Sequence, residues 1–375
     1  MKPIESSDIS RLEAREGGPC VSLYMNSPNG GQDPAWTPLK LAELFRRMTR
    51  GLALLGMTPA EARRMVTRIE NVLTDLRKES SPWPGVCLFA SPGGLEAFWM
   101  FQAAPPEVVM ENHFHLRPVM TYLKEYPAFA LLTLSRNRVG FYLADAAGIQ
   151  RELVDDMPES LAETRRFIST ERHMLHQPAA GGTLFHGHAT HEENPVKAID
   201  FFIHRVEKAV TARLDRMGMP LVLAGSRELT AMYRRHNRYP GLCDQAILGN
   251  PRAMTTAARW EKGRRMAQAH MDQLAEATLH RMGHMRNQGR IKRGGRSVLV
   301  AAQQGRVESL LVDSGATLWG AMDPATGTIQ PHAEPHTGDT DLIEAAARET
   351  MAHHGKVFWM APHSMDAPMT ALTRY

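Results

Sequence analysis

Apolar residues recur at two different spacings along the chain, and the alternation between them predicts strands with helices in between. Val21 to Met25 is a short continuous apolar run, which reads as a buried strand, and the Pro- and Gly-rich stretch Ser27 to Pro38 ends it. From Leu39 to Leu55 apolar residues return every third or fourth position, at Leu41, Leu44, Phe45, Met48, Leu52 and Leu55, as one face of a helix requires. Thr58-Pro59 offers an N-cap and a first-turn proline for a second helix ending near Arg77. Val86 to Ala90 and Leu95 to Phe101 flank Ser91-Pro92-Gly93-Gly94 as a hairpin. Three strand-like runs follow, Phe129 to Leu134, Val139 to Ala144 and Ile149 to Val154. Beyond the Gly- and His-rich segment Pro158 to Pro195, the pattern predicts a helix over Val196 to Met217, with Ile199, Phe202, Ile203, Val206 and Val210 on one face. Pro220 to Ala224 reads as a buried strand, and Ser226 as the cap of a helix over Arg227 to Arg235. The remainder predicts a long amphipathic helix from Ala253 to Met282, a helix or strand near Val298 to Gln304 and a strand over Val307 to Val312. A loop from Asp313 to Gly338, a helix over Asp339 to His354 and a strand over Val357 to Met360 complete it.

The order of elements predicts an α/β protein. At ~150 residues per domain, a chain of 375 residues divides into a few units, and the breaks suggest three: 1–123, 124–252 and 253–375. A hydrophobic share of 43% with 22% charged residues excludes a disordered or fibrous chain. No apolar run approaches the roughly 18 residues of a membrane span, and neither a span nor a secretion signal is expected. Cys20, Cys87 and Cys243 are widely spaced and form no CxxC pair, which suggests reduced thiols and a cytoplasmic location, with neither a disulfide framework nor a metal site.

Charge is distributed unevenly. Phe201 to Val300 holds 19 Lys and Arg against 7 Asp and Glu, whereas Ala301 to Tyr375 holds 4 against 9. A basic middle followed by an acidic end suits a protein that meets a polyanion with one face, although a solvated Arg-rich surface gives the same pattern. Two clusters stand out. Arg281, Arg286, Arg290, Lys292, Arg293 and Arg296 are interleaved with glycines that let backbone approach phosphates. Arg227, Arg234, Arg235 and Arg238 make the second, with Tyr233 and Tyr239 as two rings available for stacking on unpaired bases. Six histidines fall between His173 and His204, yet no carboxylate or thiolate completes a recognisable ligand set. An RNA-facing loop suits them better than a metal, and no cofactor is expected. Phosphate-loop, nucleophile-elbow and zincin motifs are absent.

Several short motifs, taken in order, resemble the bacterial relatives of the archaeo-eukaryotic class-1 peptide-chain release factors and Pelota. They are Cys20-Val21-Ser22-Leu23-Tyr24-Met25, Phe114-His115-Leu116-Arg117-Pro118, Phe129-Ala130-Leu131-Leu132-Thr133-Leu134-Ser135, Pro220-Leu221-Val222-Leu223-Ala224-Gly225, Gly305 to Val312, and Ala371 to Tyr375. The resemblance implies a central ribonuclease-H-like domain whose loop reaches the peptidyl-transferase centre, and a C-terminal Pelota-like α/β domain that docks on a translational GTPase such as elongation factor Tu. In the release factors that loop carries Gly-Gly-Gln. Here the only Gly-Gly-Gln, Gly30-Gly31-Gln32, follows the first strand, and the central segment offers Gly181-Gly182-Thr183 and His186-Gly187-His188 instead. Nothing in the first domain resembles the family's codon-reading motif. The expectation is a ribosome-binding factor that occupies the A site without hydrolysis, as a hibernation or protection factor. A peptidyl-tRNA hydrolase and a general RNA-binding protein are the alternatives. The RNA-facing residues expected are Gly181, Gly182, Thr183, His186, Gly187, His188, Arg234, Arg235, Arg238, Arg286, Arg290, Lys292, Arg293 and Arg296.

Overall fold

In the computed structural model the chain begins with β1 (Lys2–Pro3), α1 (Ser6–Glu13) and β2 (Cys20–Asn26). It continues through α2 (Pro38–Leu54), α3 (Pro59–Leu76), β3 (Gly85–Ser91), β4 (Gly94–Met100), β5 (Glu107–Glu111) and α4 (Arg117–Glu125). The structure describes all residues except 16–17, 29–32, 79–82, 105, 167–194, 286–288, 323–328 and 333–338. α3 starts at the expected cap: the Thr58 N–H donates to Glu61 Oε2 at 3.0 Å and the Glu61 N–H donates back to Thr58 Oγ1 at 3.3 Å, which satisfies two orphan donors. The five strands order as β1-β4-β3-β2-β5. Val21, Leu23 and Met25, spaced two apart on one face of β2, pack on Met48 and Leu52 of α2 and Met65 and Ile69 of α3.

The middle of the chain comprises β6 (Phe129–Leu134), β7 (Gly140–Asp145), β8 (Gly148–Glu152), α5 (Pro195–Leu214), β9 (Leu221–Gly225), α6 (Arg227–His236) and β10 (Leu242–Leu248). Its sheet runs β10-β9-β6-β7-β8, and β7 alone is antiparallel to the rest. That is the strand order of the ribonuclease-H-like arrangement. β6 is buried on both faces, as a continuous apolar strand must be. Ala130, Leu132 and Leu134 join Phe202, Ile203 and Val206 of α5 and Tyr233 of α6 on one side. Phe129 and Leu131 meet Trp260, Met266 and Ala267 on the other. These last residues belong to α7 (Thr256–His284), whose 29 residues run on past the sheet.

The remaining elements are β11 (Ile291–Arg293), α8 (Gly295–Gln303), β12 (Val307–Asp313), β13 (Trp319–Met322), β14 (Ile329–His332), β15 (Thr340–Asp341), α9 (Leu342–Ala352), β16 (Lys356–Met360) and β17 (Met369–Thr373). β11-β17-β12-β16 form one sheet and β14-β13-β15 a second. The loop expected over Asp313 to Gly338 is therefore corrected, because Trp319 to Met322 pairs on both edges with segments too short to show an alternation of their own. Residues 1–126 and 271–375 form one compact unit and residues 127–270 another. Among the described residues no helix is long and apolar enough to cross a membrane.

Candidate nucleic-acid interface

In the 127–270 unit, α6 and the turn after it are anchored from below. Ser226 Oγ accepts the Leu229 N–H at 3.3 Å and starts the helix. Glu207 of α5 is only 2% exposed and accepts the Arg238 N–H at 2.9 Å and the Thr211 hydroxyl at 2.9 Å. A buried carboxylate thus fixes the backbone from which Arg238 projects. Arg235 and Arg238 are exposed, whereas Arg234 is partly buried and donates to Cys243 O at 2.9 Å, tying α6 to β10. The expected stacking rings are corrected: Tyr233 is fully buried in the core beneath α6, and Tyr239 is buried with its hydroxyl donating to Met219 O at 2.6 Å. Burial raises both phenols above their ordinary value, with a nearby carboxylate adding to it. Neither ring can reach a base.

An aromatic residue is supplied elsewhere. α5 borders an open groove of about 740 Å³ lined by Phe201, His204, Arg205, Lys208, Arg213 and Arg216, with Asp155 and Asp156 among its other walls. Phe201 is 38% exposed, and Lys208 and Arg216 are exposed. Arg213 is held by Glu152 at 2.6 Å. His236, at the end of α6, lies 2.9 Å from Asp200 Oδ1, and its ring centroid is 5.3 Å from that of His204, so the Arg235–Arg238 turn and the start of α5 adjoin. Cations that track a groove beside an accessible aromatic face are what a single-stranded or looped RNA needs for phosphate contact and stacking. Sequence reading overlooked these residues, although Phe201, Arg205 and Lys208 recur at spacings of four and three along α5.

The second expected cluster lies in the other unit and is partly neutralised. Glu308 on β12 meets Arg281 at 2.7 Å and Arg290 at 3.3 Å. Arg290 also donates to Thr373 O from Nε and Nη2, so it clasps the end of β17. A stretch without acidic residues in the sequence therefore acquires one from a strand brought beside it. Lys292 donates to Gly289 O at 3.2 Å, and Arg293 and Arg296 remain exposed. Gly181, Gly182, Thr183, His186, Gly187, His188 and Arg286 lie outside the described residues.

Among the described residues, one group of histidine and carboxylates is close enough to share a cation: His115, Asp341 and Glu344, all buried. Its lone pairs are already engaged. Glu344 meets His115 Nδ1 at 2.7 Å and accepts the N–H groups of Leu116 at 2.7 Å and Arg117 at 3.2 Å. Asp341 caps α9 through the N–H groups of Ile343 and Glu344 and pairs with Arg117 at 2.7 Å. Burial alone would lower the His115 value, but Glu344 and Asp341 lift it to about 9. Glu344 falls below the ordinary carboxylate range because His115 and the Leu116 N–H outweigh its burial. Burial pushes the neighbouring Glu111 up to about 8. This is an ion-pair clasp joining the segment after β5 to α9.

The fold defines a mixed α/β protein whose 127–270 unit has a ribonuclease-H-like strand order and carries a basic groove. Residues 128–306, just under half of the chain, match the model of the bacterial archaeo-eukaryotic release factor family 3. Over that segment the chain is similar to the bacterial counterparts of the archaeo-eukaryotic release factors. No curated protein matches the chain. Solved structures with likeness include the archaeal translation termination factor aRF1, at 12% identity over 99% of this chain and 97% of that one, with a TM-score of 0.24. A ribosome-bound archaeal Pelota is 10% identical over 100% and 95%, with a TM-score of 0.40. Dom34 of S. cerevisiae is 9% identical over 75% and 73%, with a TM-score of 0.36. At these scores the likenesses define neither function nor partner.

Proposed function

We propose that this protein is a ribosome-associated translation factor that enters the A site and occupies it without hydrolysing peptidyl-tRNA. The observation that carries the reading is the basic groove of α5, with Arg205, Lys208 and Arg216 beside the exposed ring of Phe201, in the segment that matches a release-factor family. Phosphate contacts from these cations supply salt-sensitive affinity, and Phe201 offers a base a stacking face. Occlusion is favoured over hydrolysis by the sequence: residues 158–195 contain Gln177 but no Gly-Gly-Gln, and ester hydrolysis needs a positioned water and donors aimed at the developing oxyanion. The acidic balance from Ala301 onward suits a protein partner better than RNA, and a translational GTPase such as elongation factor Tu is the partner proposed for residues 253–375.

Purified protein added to ribosomes carrying labelled peptidyl-tRNA is expected to compete with aminoacyl-tRNA for the A site and to release no peptide above background. Release that survives Gln32→Ala but is lost on changing Gly181 and Gly182 would establish the hydrolase instead. Absence of ribosome co-sedimentation at low salt would refute both.

A further inference from the structure

The carboxyl edge of the β10-β9-β6-β7-β8 sheet holds a second cationic feature, separate in its residues from the α5 groove. β6 ends at Leu134, and the chain turns back into β7 through residues 135–138, where Ser135 Oγ donates to Arg138 O at 2.7 Å and accepts the Arg138 N–H at 3.0 Å. After β10 the chain crosses the same edge, with the Gly249 N–H donating to Gly225 O at 3.1 Å, and carries Arg252 toward α7 and Arg259. Between these segments lies a cavity of about 230 Å³ lined by Arg138, Arg252, Arg259, Thr133, Ser135 and Tyr142. It opens at the end of a central strand flanked by a hairpin partner on one side and a crossover partner on the other, the switch point at which open α/β sheets bind ligands.

Two details point to an anion. Among the described residues, none of the three arginines forms an ion pair with a carboxylate. Arg259 lies over the Tyr142 ring, 5.1 Å from its centroid, and its Nε is buried without a hydrogen-bond partner among the described residues. Gly140 lets the Tyr142 ring and the Thr133 hydroxyl close on the backbone at the cavity wall, since a Cβ there would stand 2.8 Å from Tyr142 Cε2 and 2.9 Å from Thr133 Oγ1. The hydroxyls of Thr133 and Ser135 already donate to backbone carbonyls, so guanidinium N–H groups are the donors left for a ligand. Guanidinium forks match the oxygens of a phosphate, and three positive charges suit a dianion better than the single charge of an internal phosphodiester. The cavity is smaller than the ~300–1,000 Å³ typical of drug-sized ligands, which fits a phosphate and the group it esterifies.

We propose that this notch binds a phosphate monoester, supplied by a free nucleotide or by the 5′ end of an RNA strand. The inference rests on the 127–270 unit alone and stands whether or not the A-site reading holds. Calorimetric titration of the full chain with inorganic phosphate, AMP, adenosine and a short RNA bearing a 5′-phosphate or a 5′-hydroxyl tests it. AMP is expected to bind where adenosine does not, and Arg252→Ala and Arg259→Met are each expected to weaken it about tenfold or more. Arg68→Ala, on the exposed face of α3, is expected to leave AMP binding unchanged. A preference for the phosphorylated RNA that Arg252→Ala abolishes assigns the site to RNA ends, and AMP binding with the two RNAs bound alike assigns it to free nucleotides. Arg252 is exposed, so its alanine variant reports on the site without disturbing the core. Equal binding of AMP and adenosine, or AMP binding unchanged by Arg252→Ala, would overturn the proposal.

Discussion

Replacing Glu344 by glutamine removes the charge that His115 faces and leaves the shape of the side chain nearly intact. Both groups are almost fully buried, so water does not substitute for the missing partner. Lifting His115 from 6.5 to about 9 corresponds to about 3 kcal/mol, at about 1.4 kcal/mol per pH unit. That agrees with the roughly 3–5 kcal/mol typical of breaking one side of a buried ion pair. At about 2–4 °C per kcal/mol for a unit of roughly this size, the unit built from residues 1–126 and 271–375 should melt about 6–12 °C lower. The pH dependence supplies a second signature. A histidine raised in the folded state contributes stability that is complete below its unfolded value and is lost as pH rises through its folded value. Wild type should therefore lose this contribution between 6.5 and about 9, and the gap between wild type and Glu344→Gln should narrow toward about pH 10. Differential scanning calorimetry across that range measures both. A melting temperature unchanged near pH 7, or a gap that does not narrow with pH, would refute the assignment of the clasp as a charged pair.

Charge reversal of Arg235 and Arg238 together should lower the salt-dependence slope of ribosome or RNA binding by about 2, one for each phosphate no longer neutralised, as measured by co-sedimentation over a salt series. Tyr233→Phe removes a buried hydroxyl that has no partner among the described residues, so stability should hold or rise by up to about 1 kcal/mol in urea titration, with RNA affinity unaltered. Gly263→Ala places a Cβ 2.4 Å from Phe129 Cε2, and should destabilise the 127–270 unit by about 1–3 kcal/mol in the same titration.

Local signals were readable where a single element decides the outcome. The Thr58 and Ser226 caps, the apolar stripe of α5 and the three strands from Phe129 onward need only their own residues to be recognised. What depends on distant partners was hidden. Phe114-His115-Leu116-Arg117-Pro118 reads as a boundary motif, yet its function in the fold is to meet α9 more than two hundred residues later. Arg290 looked like a free cation because Glu308 is remote from it in sequence. Tyr233 is the opposite case: Leu229, Met232 and Tyr233 already follow the spacing of a buried face, so its place in the core was visible. Strands β13 and β14 escaped notice because each has four residues and exists by pairing.

The clasp also orders the events of synthesis. Residues 127–270 are contiguous and can collapse as soon as they leave the ribosomal tunnel, whereas the other unit is interrupted by them. Until α9 is translated, Glu111, His113 and His115 lack the carboxylates and the apolar cover that make their burial tolerable. The N-terminal sheet must therefore wait, with its charged corner hydrated, while the chain's middle folds first. A ribosome stalled just before Leu342 would hold a nascent chain whose central part is native and whose beginning is still protease-sensitive.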